Sequence, residues 1–158
     1  MHYFVTGATG FIGKRLVKAL LARRGSTVHF LLRRESEAKL PELLAYWGVG
    51  KSRAVPVWGD LTAKRLGVAA DDVKALKGQV DHVYHLAAVY DLGADADSQI
   101  VANVEGTRAA VEFARAIDAG HFHHVSSIAA AGLYEGVFRE DMFDEAENLE
   151  HPYFMTKH

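Results

Sequence analysis

Three glycines at three-residue spacing, Gly7, Gly10 and Gly13, stand between an apolar run of strand length and a segment of helical period. Few short patterns restrict a fold so strongly. His2–Thr6 reads as a first strand. After the glycines, Ile12, Leu16 and Leu20 recur every four residues with Val17 and Leu21 beside them, which is the stripe of an amphipathic helix. One glycine allows a tight turn, a second lets the backbone approach a pyrophosphate, and a third lets helix and strand pack closely. The helix start then offers free N–H groups and the positive end of its dipole to an anion. A bare glycine triplet can also be a purely structural turn. Here the strand ahead and the helix behind predict a dinucleotide site built from Gly7, Thr9, Gly10, Phe11, Ile12 and Gly13.

The chain beyond keeps the same alternation. Thr27–Leu32 and Ala54–Trp58 read as the second and third strands, residues 80–87 as the fourth and residues 123–127 as the fifth. Leu40, Leu43, Leu44 and Trp47 mark one helical face; Ile100, Val104, Val111 and Ala114 mark another that runs to about Ala119. Gly25 is expected to end the first helix. Pro56 cannot donate to a ladder and belongs on an edge, where a doubly wound sheet of order 3-2-1-4-5 puts its third strand. The fold class is therefore α/β, a doubly wound parallel sheet of Rossmann type. Residues 128–150 read as an irregular, solvated loop that turns acidic toward its end.

Composition narrows the functions open to such a chain. At 158 residues it can bury one core, so a single domain is expected. Eighteen Lys and Arg against 20 Asp and Glu, with no block of like charge, exclude the footprint of a nucleic-acid binder. The lack of cysteine excludes a disulfide framework, a thiolate zinc site and a cysteine nucleophile. His121 and His123 would share a strand face, but no further ligand completes a set at zinc spacing, so no metal is expected. Glycines interrupt the apolar N-terminus, unlike a signal peptide, and no apolar run approaches the roughly 20 residues of a membrane span. A cytoplasmic protein with a small-molecule partner is the expectation; the pattern leaves its oligomeric state open.

Two further features carry chemistry. Tyr153 and Lys157 stand four apart and share a face if helical. An isolated phenol ionises near ~10, and a nearby ammonium favours the phenolate, which makes such a pair a usable acid and base. At the end of the second strand, an acid would bind a ribose 2′-hydroxyl and an arginine a 2′-phosphate. Arg33 and Arg34 stand there with Glu35 only after them, so NADP(H) is favoured over NAD(H), with Arg33 as the clamp. The alternative is that both arginines merely solvate a loop.

TGATGFIG at residues 6–13, Gly59-Asp60-Leu61, His85-Leu86-Ala87-Ala88, the stretch from Asn103 to Thr107, Val125 to Ile128 and Tyr153 to Lys157 follow one another in the order of a known family. Together they resemble the extended short-chain dehydrogenase/reductases over nearly the whole chain. HLAAVYDLGAD, HFHHVSSIAAAG and FREDMF are similar, more narrowly, to the amino-terminal domain of bacterial long-chain fatty acyl-CoA reductases, relatives of the thioester reductases. The resemblance implies that Tyr153 protonates a carbonyl oxygen as hydride arrives, and that Lys157 also holds the nicotinamide ribose. It makes Ser127, five residues before Gly132, the serine that hydrogen-bonds the carbonyl, in preference to Ser126. The alternative for Ser127 is a helix cap. Asp60 and Leu61 would take the adenine, although Asp60 could simply end a strand. Leu86, Ala87 and Ala88 would pass beside the cofactor or be plain core, and Asn103 would stand near the active-site strand ends or bond only locally.

His158 follows Lys157 directly, so the carboxy-terminal substrate lobe of that family is expected to be absent from this chain, a truncated Rossmann domain that turns over poorly by itself. The expected activity is NADPH-dependent reduction of a fatty acyl-CoA thioester or fatty aldehyde toward the alcohol. A nucleotide-sugar epimerase or dehydratase, or a hydroxysteroid-type dehydrogenase, would share the same residues. A non-catalytic NADP-binding sensor would typically lack the Tyr/Lys pair.

Overall fold

Short apolar strands, each followed by a helical crossover, leave the chain one economical arrangement, a parallel sheet with helices on both faces. A computed structural model describes residues 1–89 and 96–158. The part of the HLAAVYDLGAD motif at residues 90–95 lies outside the described residues. Strands β1 (His2–Thr6), β2 (Thr27–Leu32), β3 (Ala54–Trp58), β4 (His82–His85) and β5 (His121–His124) pair in parallel in the order β3-β2-β1-β4-β5. Pro56 lies on the edge strand, opposite Phe30, where its missing N–H costs no ladder bond.

Successive side chains of β1 feed opposite faces. Tyr3 and Val5 join Val17 and Leu20 of α1 (Phe11–Leu21) and Trp47 of α2 (Leu40–Trp47) on one side. Phe4 faces Phe113, Ala110 and Ile117 on the other. Two aromatic pairs anchor these layers: Phe30 against Trp47 at 5.1 Å between ring centroids, and Phe4 against Phe113 at 4.6 Å. The Trp47 indole N–H also donates to the Lys14 carbonyl at 3.0 Å and ties α2 to α1.

Several boundaries differ from the sequence expectation. Helix α1 ends at Leu21, and Gly25 stands beyond it with φ +72°, in the turn into β2. A short helix α3 (Ala70–Leu76) between β3 and β4 was not expected, since it offers little apolar periodicity and opens on Asp71 and Asp72. Strand β4 covers only His82–His85 of the expected 80–87, because β1 ends opposite His85. Strand β5 starts two residues earlier than expected, in register with His82, and its ladder closes with Val125 N–H donating to the His85 carbonyl. The expected long helix is α4 (Ala96–Gln99), a π-helical stretch (Ile100–Glu105) and α5 (Gly106–Ala116). The 128–150 loop holds a 3-10 turn (Ile128–Ala131) and folds back so that Gly132 bridges Glu147. Helix α6 (Pro152–Lys157) follows. No helix among the described residues is long and apolar enough to cross a membrane.

The first turn of α1 presses hardest on β1. A Cβ at Gly13 would lie 2.0 Å from the Gly7 carbonyl oxygen, and backbone on that side cannot yield as a side chain would. Gly13→Ala is expected to destabilise the fold by about 3 kcal/mol or more, the upper range for overpacking, seen as a lower urea midpoint. A midpoint unchanged from the parent would contradict this packing.

Candidate active site

At the end of β1, Gly7 takes φ +74°, and a Cβ there would meet the Ala87 backbone nitrogen at 2.8 Å. Gly10 caps α1 without a side-chain hydrogen bond, leaving the first-turn N–H groups without a side-chain acceptor. A Cβ on Gly10 would touch only the Gly7 carbonyl oxygen, at 3.3 Å. Gly7 and Gly13 are therefore required by the chain itself, whereas Gly10 mainly keeps space open outside it. The side chains of Phe11 and Ile12 point to solvent, 73% and 61% exposed, and the Arg15 guanidinium lies over the Phe11 ring at 3.7 Å. Only their backbone N–H groups can face an anion.

Over this loop runs a groove of about 400 Å3 along the carboxyl ends of the strands, at the point where strand order reverses. Gly7, Thr9 and Gly10 line it, with Arg33, Asp60, Leu61, Leu86, Ala87 and Ala88, all singled out from the sequence. Ser36, Lys39 and Thr62 line it as well. Sequence reasoning passed over these three, although Ser36 and Lys39 belong to the 3-10 turn directly behind Arg33. Arg33 and Arg34 part company here: the Arg34 guanidinium stacks on Trp58 at 4.3 Å, and Arg33 is the one that lines the groove. Asp60 accepts from the Thr62 hydroxyl at 2.6 Å and the Thr62 N–H at 2.8 Å. Those bonds, with the charge of Arg33 as a smaller cause, hold its carboxyl below the usual range. The turn role of Asp60 is thus real, and a carboxylate oxygen remains to accept from a ligand.

Behind the groove stands a buried polar row. His85, 1% exposed, lies 2.7 Å from Thr6 Oγ1 and 3.1 Å from Thr107 Oγ1. Asn103, also buried, accepts from Val89 N–H at 2.8 Å and donates to the Thr156 hydroxyl at 3.0 Å. It therefore braces the groove wall against α6 and lies behind the groove lining, a structural task that the sequence left open. Thr6, His85, Thr107 and Thr156 belong to motifs picked out in the sequence but were given no role there; nothing in their spacing signals that they meet.

Helix α6 brings Tyr153 and Lys157 to one face, with Lys157 Nζ 5.7 Å from the Tyr153 ring centroid. Tyr153 is buried at 7% exposure and Lys157 half-buried. Burial pulls the Lys157 ammonium below its usual range. Ser127 caps the 3-10 turn by accepting from Ala129 N–H at 3.2 Å, so its own hydroxyl proton is left to donate elsewhere. Ser126 reaches only the Lys157 carbonyl, at 3.5 Å. The histidines on β4 and β5 stack in place of clustering as ligands: His82 Nδ1 is 3.0 Å from His123 Nε2, and His123 lies flat on Tyr84 at 4.4 Å. Among the described residues no group of three potential metal ligands forms.

A family model described as male sterility protein matches residues 5–158. A Drosophila melanogaster protein named as a fatty acyl-CoA reductase is 30% identical over 166 residues, covering 94% of this chain and 32% of that protein. Among solved structures, the terminal R domain of the myxalamid PKS-NRPS biosynthetic pathway superposes with a TM-score of 0.84 at 26% identity, over 99% of this chain and 42% of that one. The UDP-glucuronic acid 4-epimerase of Bacillus cereus, solved with NAD, gives 0.75 at 27% identity, over 99% and 49%. The chain spans between 3% and 36% of the length of the first three curated relatives it matches.

Burial and the charges of His124 and Lys157 push the His85 imidazole down to about 4 from an ordinary 6.5. His29 and His124 are lowered too, both chiefly by burial. An unfolded chain takes up these protons below 6.5 while the fold refuses them, so stability is full above that pH and declines as pH falls toward 4. His85 accounts for about 3 kcal/mol of the decline. Thermal melts between pH 7 and 4.5 should show it, with a shallower slope in His85→Gln. An equally steep slope in that variant would contradict the assignment.

Proposed function

The chain belongs to the male sterility protein family of extended short-chain dehydrogenase/reductases, nicotinamide-dependent oxidoreductases of the thioester-reductase type, and from that membership we propose a reductase acting on a fatty acyl thioester or fatty aldehyde. The observation that carries this reading is the groove itself, which runs from Gly7 and Gly10 past Ala87 and Ala88 to Val89, whose backbone Asn103 ties to Thr156 on the helix bearing Tyr153 and Lys157. The residues present fit a bound nicotinamide dinucleotide. The α1 amino end would take its pyrophosphate, Asp60 and Leu61 its adenine, and Lys157 its nicotinamide ribose. Arg33 at the groove favours NADP(H) through a charge-assisted bond to a 2′-phosphate. When bound, the dinucleotide supplies the hydride.

The chain's own side chains handle the oxygen. Negative charge grows on the substrate carbonyl oxygen as the carbon is reduced, and donors already in place stabilise it without reorganising. Ser127 donates its free hydroxyl proton to that oxygen, and Tyr153 transfers its own. Lys157, beside the Tyr153 ring, stabilises the phenolate left behind. A nucleotide-sugar substrate is the second reading, favoured by the likeness to the epimerase.

NADPH oxidation by the natural full-length polypeptide with a long-chain acyl-CoA, and separately with a long-chain aldehyde, tests the substrate class, with NADH and a nucleotide sugar as controls. Consumption with either acyl substrate is expected; turnover of the nucleotide sugar alone would reverse the assignment. Tyr153→Phe should lower turnover by roughly 10²- to 10⁴-fold, the usual worth of a positioned acid, with NADPH affinity little changed. Gly10→Val should keep the parent melting temperature and lose cofactor binding. Unaltered titration of the cofactor into Gly10→Val would place the pyrophosphate elsewhere.

A further inference from the structure

The buried row behind the groove can be read donor by donor. The Ala87 N–H lies 3.2 Å from Thr6 Oγ1 and can only donate to it. The Thr6 hydroxyl keeps a proton and a second lone pair, so its 2.7 Å contact with His85 Nδ1 can run in either direction, and the far edge of the ring decides it. On the far edge of the ring, Thr107 Oγ1 stands 2.6 Å from the Asn103 carbonyl, which can only accept. The Thr107 proton is thus already placed, and His85 Nε2 must be the donor in the 3.1 Å contact with Thr107 Oγ1. The Thr107 contact thus requires the proton on Nε2, and in the neutral ring the bare Nδ1 accepts the Thr6 hydroxyl proton.

The row continues through Asn103. Its side-chain oxygen accepts from Val89 N–H, and its amide nitrogen donates to the Val89 carbonyl and to Thr156 Oγ1. The Thr156 hydroxyl in turn donates to the Tyr153 carbonyl at 3.1 Å. One directed chain of bonds therefore runs from the groove wall at Ala87, through the end of β1 and the π-helical stretch, to the backbone of the residue proposed as proton donor. Neutral hydrogen bonds of this kind are each modest, but a buried one left unmade costs its full desolvation.

We propose that His85, in its Nε2–H tautomer, is a positioning residue that sets the Ala87–Val89 wall against α6 and so fixes where the nicotinamide end of the cofactor lies relative to Tyr153. A second proton on Nδ1 would turn the Thr6 hydroxyl from donor to acceptor at that contact and remove the acceptor of its own proton. Burial and the charges of His124 and Lys157 oppose that proton. Among the described residues the adenine half of the groove, at Arg33 and Asp60, has no bond to this row, so the two halves of the ligand should respond differently. The assignment rests on the dinucleotide reading above.

Calorimetric titration of the chain with NADPH and with 2′-phospho-ADP-ribose, the same molecule without its nicotinamide, separates the cases. His85→Gln keeps a donor for Thr107 but strands the Thr6 hydroxyl. It should weaken NADPH about tenfold, the worth of one buried hydrogen bond, and leave 2′-phospho-ADP-ribose within about twofold. Thr6→Val should weaken NADPH similarly, and the double variant should be no worse than either single one. Equal weakening of both ligands, or no change in either, would overturn the positioning role. If the unaltered chain bound neither ligand, the dinucleotide reading itself would fall. Nitrogen-15 shifts of the His85 ring in the unaltered protein at pH 7 decide even if the variants do not fold. Protonated Nε2 with bare Nδ1 is expected, and any proton on Nδ1 would overturn the proposal.

Discussion

The close crossing of α1 over the end of β1 governs what the rest of the molecule can do. A side chain at Gly13 would run into the Gly7 carbonyl, so the first turn of the helix starts close against the backbone that leaves the strand. Its unpaired N–H groups then stand at the sheet's carboxyl edge rather than off to one side. A larger residue at Gly13 would lift the helix and carry that anion-binding end away from the groove. Gly7 imposes a matching demand from the other direction, because its missing side chain lets the chain leaving β4 pass against it at Ala87.

That second contact joins the packing to the chemistry. Thr6 and His85 are the last residues of paired strands, and both turn polar atoms into the interior immediately below the groove. Buried polar atoms need partners, and here they find one another in a row that crosses from sheet to helix. The cost of leaving any member unpaired keeps the β4 exit, the π-helical stretch and α6 in one mutual arrangement. The π-helical geometry belongs to this: the stretch carries Asn103, whose side chain bonds Val89 and Thr156 together, and such departures from α geometry recur at functional sites.

Much of this was legible in the sequence. The strand–glycine–helix pattern, the alternation behind it and Pro56 on an edge led to the observed strand order, because right-handed crossovers leave little choice once strands and helices alternate. Arg33 was found because it directly follows the second strand, and such positions face the carboxyl edge in this topology; Asp60 and Ala87 came from the family resemblance. What failed was local. Helix α3 has too few apolar residues to show a period. The limits of β4 and β5 depend on where their neighbours stop, which no strand's own residues record.

The sequence by itself determined the α/β class, the glycine cradle and the pairing of Tyr153 with Lys157 on a helical face, since each rests on spacing within one segment. Only the tertiary structure decided the contacts between segments. It separated Arg33 from Arg34 by stacking the latter on Trp58, added Ser36 and Lys39 to the groove, and made Ser127 a cap whose proton stays available. It also assembled Thr6, His85, Thr107, Asn103 and Thr156 into one row. Those residues are drawn from positions up to 150 apart in the chain. Hydrogen-bond geometry is satisfied only in three dimensions, and periodicity along a chain carries no record of it.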